Sequence, residues 1–355
     1  MFDIPDWTKS MSQTFEYYKV DPGTWKDVCK IDKVKKNTIS RDIDAETLGS
    51  ATMEMTETLG ECYVRTYLIT MQNGVTEKFP LGTFLIQTPK TSFDGKVKNI
   101  SSDAYTPLLE LKENPPPIGY TILKGENILS YAYRLARDNL RAPVIEAEND
   151  EKTSSDFTAN SDDTWISFIS DLIKIAKYHL DLDEMGRVLF MPDQEIASLQ
   201  PVWTFNNDNS SILYPDISID HDLYSVPNVV EVSYSKGIEH YHATAVNDDP
   251  NSPTSTVNRG RKITHRVTDP DMAGDPTRVQ IEEYATRLLK ELSTIEYTVS
   301  YSHGYCPVRL GDCVRLNYPD IGIYGVKAKV INQSIECTPG CKVTETAVFI
   351  TKLWR

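Results

Sequence analysis

The chain reads as an α+β protein made mostly of strands, with a mixed α/β stretch between two β-rich ones. Three observations carry that reading. Tyrosine is abundant, at 19 residues beside 17 Gly and 20 Pro, a balance that favours strands and tight turns over a helical bundle. Period-two alternation marks residues 24–112 and returns after residue 205, while helical spacing first appears in the stretch between. Pro115-Pro116-Pro117 breaks the pattern where the first β-rich stretch ends. At 355 residues the chain exceeds what one ordinary core supports. The expected division is an N-terminal arm at 1–23, a first β domain at 24–115, a mixed middle domain at 116–205, and a second β domain with one amphipathic helix at 206–355.

In the first β domain, residues 62–69 alternate well enough for a strand, and residues 83–86 form a short apolar one after Pro80-Leu81-Gly82. Between them, Gln72-Asn73-Gly74-Val75 carries the Asn-Gly pair that type I′ hairpin turns demand. A third strand follows the Asp94-Gly95 turn, with Val97 and Ile100 in it.

In the middle domain, Ile128, Ala132, Leu135 and Ala136 fall on one face of a helix over 127–140. Residues 146–163 hold seven acids against one Lys, so they read as an exposed loop. The next helix, capped by Asp162 or Asp163, buries a stripe of Trp165, Ile169, Leu172, Ile173 and Ala176. It leads through Tyr178-His179-Leu180 to a turn at Asp183-Glu184-Met185-Gly186 and a strand over 187–190.

In the second β domain, Val230, Val232 and Tyr234 alternate with Glu231 and Ser233, and Ile295, Tyr297, Val299 and Tyr301 with Glu296, Thr298 and Ser300. Between these strands Ile281, Ala285, Leu288 and Leu292 mark a helix, with Asp275 as cap and Pro276 in its first turn. Residues 247–256 are too rich in Asp, Asn, Pro and Ser for regular structure and read as a long loop. Val326, Ala328 and Val330 give a further strand and residues 346–353 the last.

Charge and hydropathy exclude several function classes. No stretch approaches the ~20 consecutive apolar residues of a membrane span, and 1–6 lacks the basic and apolar regions of a signal peptide. Synthesis in the cytosol of the producing cell, with no membrane insertion, is the expectation. The net charge of −14, from 37 basic and 51 acidic residues, argues against a protein that grips nucleic acid. The one basic cluster, Lys30, Lys33, Lys35 and Lys36 beside Lys26, reads as a solvated turn.

No catalytic constellation is legible, and no cofactor is expected. Zincin, nucleophile-elbow and phosphate-loop motifs are all missing from the sequence. Among the six His, only His240 and His242 are close in sequence. They would share a strand face without a partner motif nearby. Cys306, Cys313, Cys337 and Cys341 are compatible with three states: reduced core thiols, a Cys337–Cys341 hairpin disulfide, or a Cys₄ zinc site. Only the second pair has knuckle spacing, so these four are weak metal candidates and reduced thiols are the favoured state. Asp181 to Gly186 begins like a calcium loop but has Met185 at position five and Pro192 at position twelve. Asp269 to Asp275 lacks the ligand pattern too, so a β-turn and a helix lead-in are expected.

Residues 120–129, Tyr-Thr-Ile-Leu-Lys-Gly-Glu-Asn-Ile-Leu, resemble the opening of a LysM peptidoglycan-binding module. A broader resemblance lies in the last third. It runs from Pro227-Asn228-Val229-Val230-Glu231-Val232 through 243–250, 252–256 and Asn258-Arg259-Gly260-Arg261 to Gly311-Asp312-Cys313-Val314-Arg315-Leu316. There the chain resembles the tail or baseplate hub proteins of bacteriophages, the late-control-D superfamily in its Gram-positive form, most strongly over 227–353 and moderately over 60–112. The resemblance implies two β-barrel hub domains flanking the mixed middle domain. It also implies a non-enzymatic homotrimer joining a sixfold tail tube to a threefold spike, and a channel for DNA or tape-measure passage. Implied partners are copies of itself, the tube or distal tail protein, a spike or tip protein and the tape measure protein, all in a virion assembled in the host cytoplasm. Leu353-Trp354-Arg355 closes the hub-like part, so no peptidase or fibre extension is expected. The acidic balance suits a wall past which DNA slides, and a hairpin disulfide would brace a released particle. The alternatives are a peptidoglycan-binding or wall-degrading tail protein and a receptor-binding one.

Overall fold

The computed structural model describes residues 5–93, 95–96, 98–208, 212–221, 223–236, 239–270 and 276–354. Its first region contains β1 (Ser12–Val20), β2 (Asp27–Lys30), β3 (Val34–Asp42), β4 (Gly49–Met55), β5 (Cys62–Gln72), β6 (Val75–Phe93) and β7 (Lys98–Tyr105). Positive φ at both Asn73 and Gly74 makes the β5–β6 connection the expected type I′ turn, and Gln72 pairs directly with Val75 across it. The short apolar strand expected at 83–86 is the middle of a 19-residue β6. Asp94 and Val97 lie outside the described residues. Residues 12–20, within the segment set apart as an arm, form β1, which pairs with β2 on one side and β5 on the other.

The middle region comprises α1 (Leu109–Glu113), β8 (Thr121–Ile122), α2 (Ile128–Asn139), β9 (Phe157–Thr158), α3 (Trp165–Ile175), β10 (Tyr178–Leu182) and β11 (Val188–Pro192). Asn127 caps α2, its side-chain oxygen accepting from the Ser130 amide at 2.9 Å. The cap of α3 is Thr164 rather than Asp162 or Asp163. Its hydroxyl accepts from the Ser167 amide, and the Ser167 hydroxyl accepts from the Thr164 amide at 2.9 Å. Asp163 is occupied one step earlier, accepting from the Asn160 amide at 2.7 Å. All five residues of the expected α3 stripe are buried. The acidic loop is not wholly irregular, because β9 returns beside β8.

The last region contains β12 (Pro201–Asn206), β13 (Leu213–His221), β14 (Val229–Lys236), β15 (Glu239–Val246), α4 (Thr256–Arg259), β16 (Thr264–Thr268), α5 (Arg278–Leu292), β17 (Thr294–Gly304), β18 (Cys313–Tyr318), β19 (Ile323–Cys337) and β20 (Lys342–Lys352). Thr277 caps α5 in a reciprocal box with Gln280, so Pro276 precedes the cap, while Asp275 lies outside the described residues. The 247–256 loop is held from within: Asn247, Ser252, Thr254 and Ser255 are buried, and Ser255 caps α4.

The hydrogen-bond ladders join the two β-rich regions in one 13-stranded sheet, ordered β13-β17-β20-β19-β3-β4-β7-β6-β5-β1-β2, with β18 on β19 and β12 on β18. The joint is β3 against β19, Asp42 facing Asn332 and Asn37 facing Cys337. Along one edge β19 serves β18 through its first half and β3 through its second, with β20 on the other edge. Among the described residues no ladder closes either β region on itself, and the two regions share one sheet over one core. That core reaches from Ile39 and Leu68 to Val299, Ile335 and Ala347. A second core, from Leu108 to Phe190, belongs to the middle region and begins ahead of the three prolines. A third forms where α5 covers the smaller sheet β15-β14-β16, burying Ile281, Ala285 and Leu289 on Val230 and Val232. Among the described residues no helix is long and apolar enough to cross a membrane.

Candidate functional site at the seam between the regions

The turn between β10 and β11 is where the three regions meet. Asp183 builds it, its Oδ1 accepting from the Met185 and Arg187 amides while Oδ2 takes the Arg187 Nε–H. The carboxylate that suggested a calcium loop is therefore committed to an Asx turn. The turn presents the Met185 carbonyl to the first region, where three donors converge on it: Trp25 Nε1 at 2.8 Å, Thr83 Oγ1 at 3.0 Å and Arg65 at 3.1 Å. Gly186 makes this approach possible. Its φ is +75°, and a Cβ there would stand 2.7 Å from the Thr83 Cβ.

Arg65 is the largest fully buried side chain, at 1 % exposure. Its charge is met by Asp27 at 2.8 Å, and its remaining donors go to Thr83 and to the Trp25 and Met185 carbonyls. A buried guanidinium is tolerable only with such complete pairing.

On the other side of the turn, Arg309 reaches in from the last region. It donates to the Leu182 carbonyl at 3.0 Å and pairs with Glu184 at 2.6 Å, with Asp181 3.7 Å away. Asp312 accepts from the Arg309 amide at 2.8 Å. Burial pushes the Asp181 and Asp312 carboxyls above their ordinary range, and Arg309 offsets this only in part. The cavity of about 40 Å³ beside Arg41, Gly82, Asp181 and Arg309 has room for ordered water rather than an organic ligand.

A buried polar chain runs through the main core nearby. Arg41 donates to Gln333, Gln333 to Glu345 at 2.7 Å, and Tyr301 to the other Glu345 oxygen at 2.6 Å. His303 Nε2 stands 3.4 Å from that carboxylate but out of line for a hydrogen bond. Burial alone would raise the Glu345 carboxyl, yet His303, Tyr301 and Gln333 together hold it below its usual value.

Cys306, one of the metal candidates, lies 3.8 Å from His303 Nδ1, so Cys, His and Glu stand in sequence as in a thiol-protease centre. The chemistry does not follow. The Gly304 carbonyl, 2.7 Å from Nδ1, can only accept, so that nitrogen carries the proton and cannot take one from the thiol. Burial also pushes the Cys306 thiol far up, and all three groups are sealed from solvent. The arrangement is a core network, and only the short spacing of His303 and Cys306 hinted at it.

Cys313, Cys337 and Cys341 are likewise buried and unbridged, with the Cys341 thiol pushed up to about 12 by burial. Among the described residues no group of three or more His, Cys, Asp or Glu is placed to hold a metal ion. His240 and His242 share the face of β15 turned away from α5, and His240 is 3.1 Å from Ser235 Oγ. The LysM-like segment is β8, a turn at Gly125 and the start of α2; Trp165 is core.

With this geometry in view, two solved structures share the fold along nearly their whole length. The tail protein from Neisseria meningitidis MC58 superposes with a TM-score of 0.59 at 14% identity, covering 95% of this chain and 96% of that one. The 43 kDa tail protein of prophage MuSo2 from Shewanella oneidensis gives 0.61 at 11% identity, covering 95% and 98%. No protein-family model matches the sequence, and no curated protein matches it. At these identities the likeness is one of fold.

Proposed function

We propose that this chain is a non-enzymatic structural hub at the distal end of a phage or phage-derived tail tube. In this reading three copies form a ring that joins the sixfold tube to a threefold spike or tip and surrounds a channel for DNA or tape-measure passage. The observation that carries it is the end-to-end likeness of fold to two tail proteins. The hub-like residues over 227–353, of late-control-D, Gram-positive type, support it further. The reading takes 24–115 and 206–355 as two barrel-like hub modules sharing one sheet, with 116–205 as the domain between them. Its partners are the tube or distal tail protein, the spike or tip protein and the tape measure protein.

Imaging of intact particles tests it. Three copies at the tube's end are expected; six copies, one copy, or a position elsewhere in the particle would defeat the reading. The wall-binding alternative draws on the strand, Gly turn and helix start at 120–129, and it predicts co-sedimentation of the purified chain with host peptidoglycan. A zymogram separates the wall-degrading form, since clearing by the isolated chain would overturn the structural reading.

A further inference from the structure

The hairpin of β6 and β7 outgrows the sheet that holds it. β5 accompanies β6 only as far as Ile86, and β4 accompanies β7 only from Ile100 onward. Ile100 faces Thr91, so β4 still flanks the hairpin there, and only Ser92 with Asn99 and Phe93 with Lys98 pair with each other alone. Residues 89–93 and 98–99 are exposed throughout, and Phe93 is 69% exposed. At ~3.3 Å per residue the paired end of the ribbon reaches roughly 7 Å past β4, while β6 runs on roughly 20 Å past the end of β5.

The root of this ribbon is basic. Lys36, Glu54, Ser101 and Lys90 form one cross-strand row, and Lys35 and Lys90 line the same cleft of about 350 Å³. Lys98 adds a fourth cation near the tip. Among the described residues no carboxylate lies within 4 Å of Lys35, Lys36, Lys90 or Lys98, on a chain whose net charge is −14.

The opposite pattern occurs at the far end of α2. Residues 149–153 cross the start of that helix, where the Ile128 amide donates to the Glu151 carbonyl and Asn127 to the Asn149 carbonyl. Glu146, Glu148, Asp150 and Glu151 are exposed there, and among the described residues none has a basic partner within 4 Å. Acids suit this position, beside the positive end of a helix dipole. Among the described residues no ion pair joins the two charge sets within one chain. Gln87 at the ribbon's root donates to Glu113 of α1, and Arg141, just after α2, pairs with Glu110 of the same short helix.

We propose that the lysine-bearing β6–β7 ribbon of one copy docks on the acidic 146–151 segment of a second copy. This rests on the ring reading, and it supplies the head-to-tail contact such a ring needs, because two different surfaces meeting repeatedly close a ring when the rotation allows. Complementary charge fixes the register, and exposed Phe93 contributes apolar contact at the tip.

Zero-length carbodiimide coupling of intact particles tests it, since that reagent joins a lysine to a carboxylate only where they touch. The expected product is a band of two or three chain masses carrying links from Lys90 or Lys98 to Glu146, Glu148, Asp150 or Glu151. That band should be lost in Lys90→Glu/Lys98→Glu and regained when Glu148→Lys/Asp150→Lys is added. Links confined to single chains, or lysines coupled to another tail protein, would overturn the proposal. So would duplex DNA retardation by the isolated chain that disappears in Lys90→Glu/Lys98→Glu. Three copies at the tube's end joined through other residues would sink this contact and leave the ring reading standing. Absence of the chain from the tube's end would sink the reading itself.

Discussion

Arg65 shows how much of this molecule rests on single polar side chains. Its strand was legible from alternation, but its partners were not, because Asp27 and the Met185 carbonyl lie 38 and 120 residues away in sequence. Truncating one member of a buried pair leaves the other charge uncompensated. Asp27→Ala is therefore expected to cost about 3–5 kcal/mol, whereas Arg65→Met, which removes the charge itself, should cost clearly less. Equilibrium denaturation of both variants checks the order, and equal losses would mean that the ion pair is not what holds the seam. Acid titration offers a second check with two opposing signs. The Glu345 carboxyl is held below its ordinary 4.5, so its contribution is present above that pH and is lost as pH falls below it. Asp181 and Asp312 are raised above 3.8, so the folded state holds their protons more tightly and their contribution grows as pH falls toward 3.8. Melting curves between neutrality and that value should show a rise that Asp181→Asn/Asp312→Asn flattens. An unchanged rise in that variant would place its origin elsewhere.

At the scale of elements, boundaries were harder to read than existence. Every helix and strand proposed from periodicity within the described residues has a counterpart, but Thr164 and Thr277 cap α3 and α5 where acids had been expected. Asp, Ser and Thr all cap well, so composition cannot choose among neighbours; the choice falls to whichever residue is extended when its hydroxyl meets the third amide. Thr277→Ala should cost about 1 kcal/mol, read as a lower denaturation midpoint with unchanged slope, and Thr277→Asp should recover most of it. The Asp183–Gly186 turn was placed correctly from its sequence, yet nothing local announced that it docks. Replacing Gly186 by Ala adds a methyl where the Thr83 Cβ is 2.7 Å away, at a φ that L residues rarely adopt. The turn then has to move, taking the Met185 carbonyl off Trp25. Faster proteolysis between the middle and first regions and altered Trp25 environment are expected. A variant as resistant as the parent would show that the turn is not the latch.

At the scale of the whole molecule, alternation located both β regions but could not say that they form one sheet. Pairing of β3 with β19 depends on contacts such as Arg41 to Gln333, 292 residues apart, and no periodicity encodes a partner at that range. The consequence is energetic as well as topological. With one core under both halves, neither can open along the β3–β19 ladder without exposing residues of the other, including Ile39 and Ile335, both fully buried. The middle region has its own core. It meets the sheet through the polar contacts of the Met185 turn and a small apolar cluster of Val20, Trp25, Tyr63 and Leu85 with Leu109 and Ala142, so its opening is expected to cost less than that of the shared sheet. Native-state hydrogen exchange distinguishes these units by their opening free energies. Peptides from β3, β4, β19 and β20 should exchange through one shared opening, and those from α2 and α3 through a second, lower one. Ser334→Pro, which removes a ladder donor between Ser40 and Thr344, should lower the first in all four strands together. If only β19 and β20 respond while β3 and β4 keep their protection, the two β regions are independent units that merely abut.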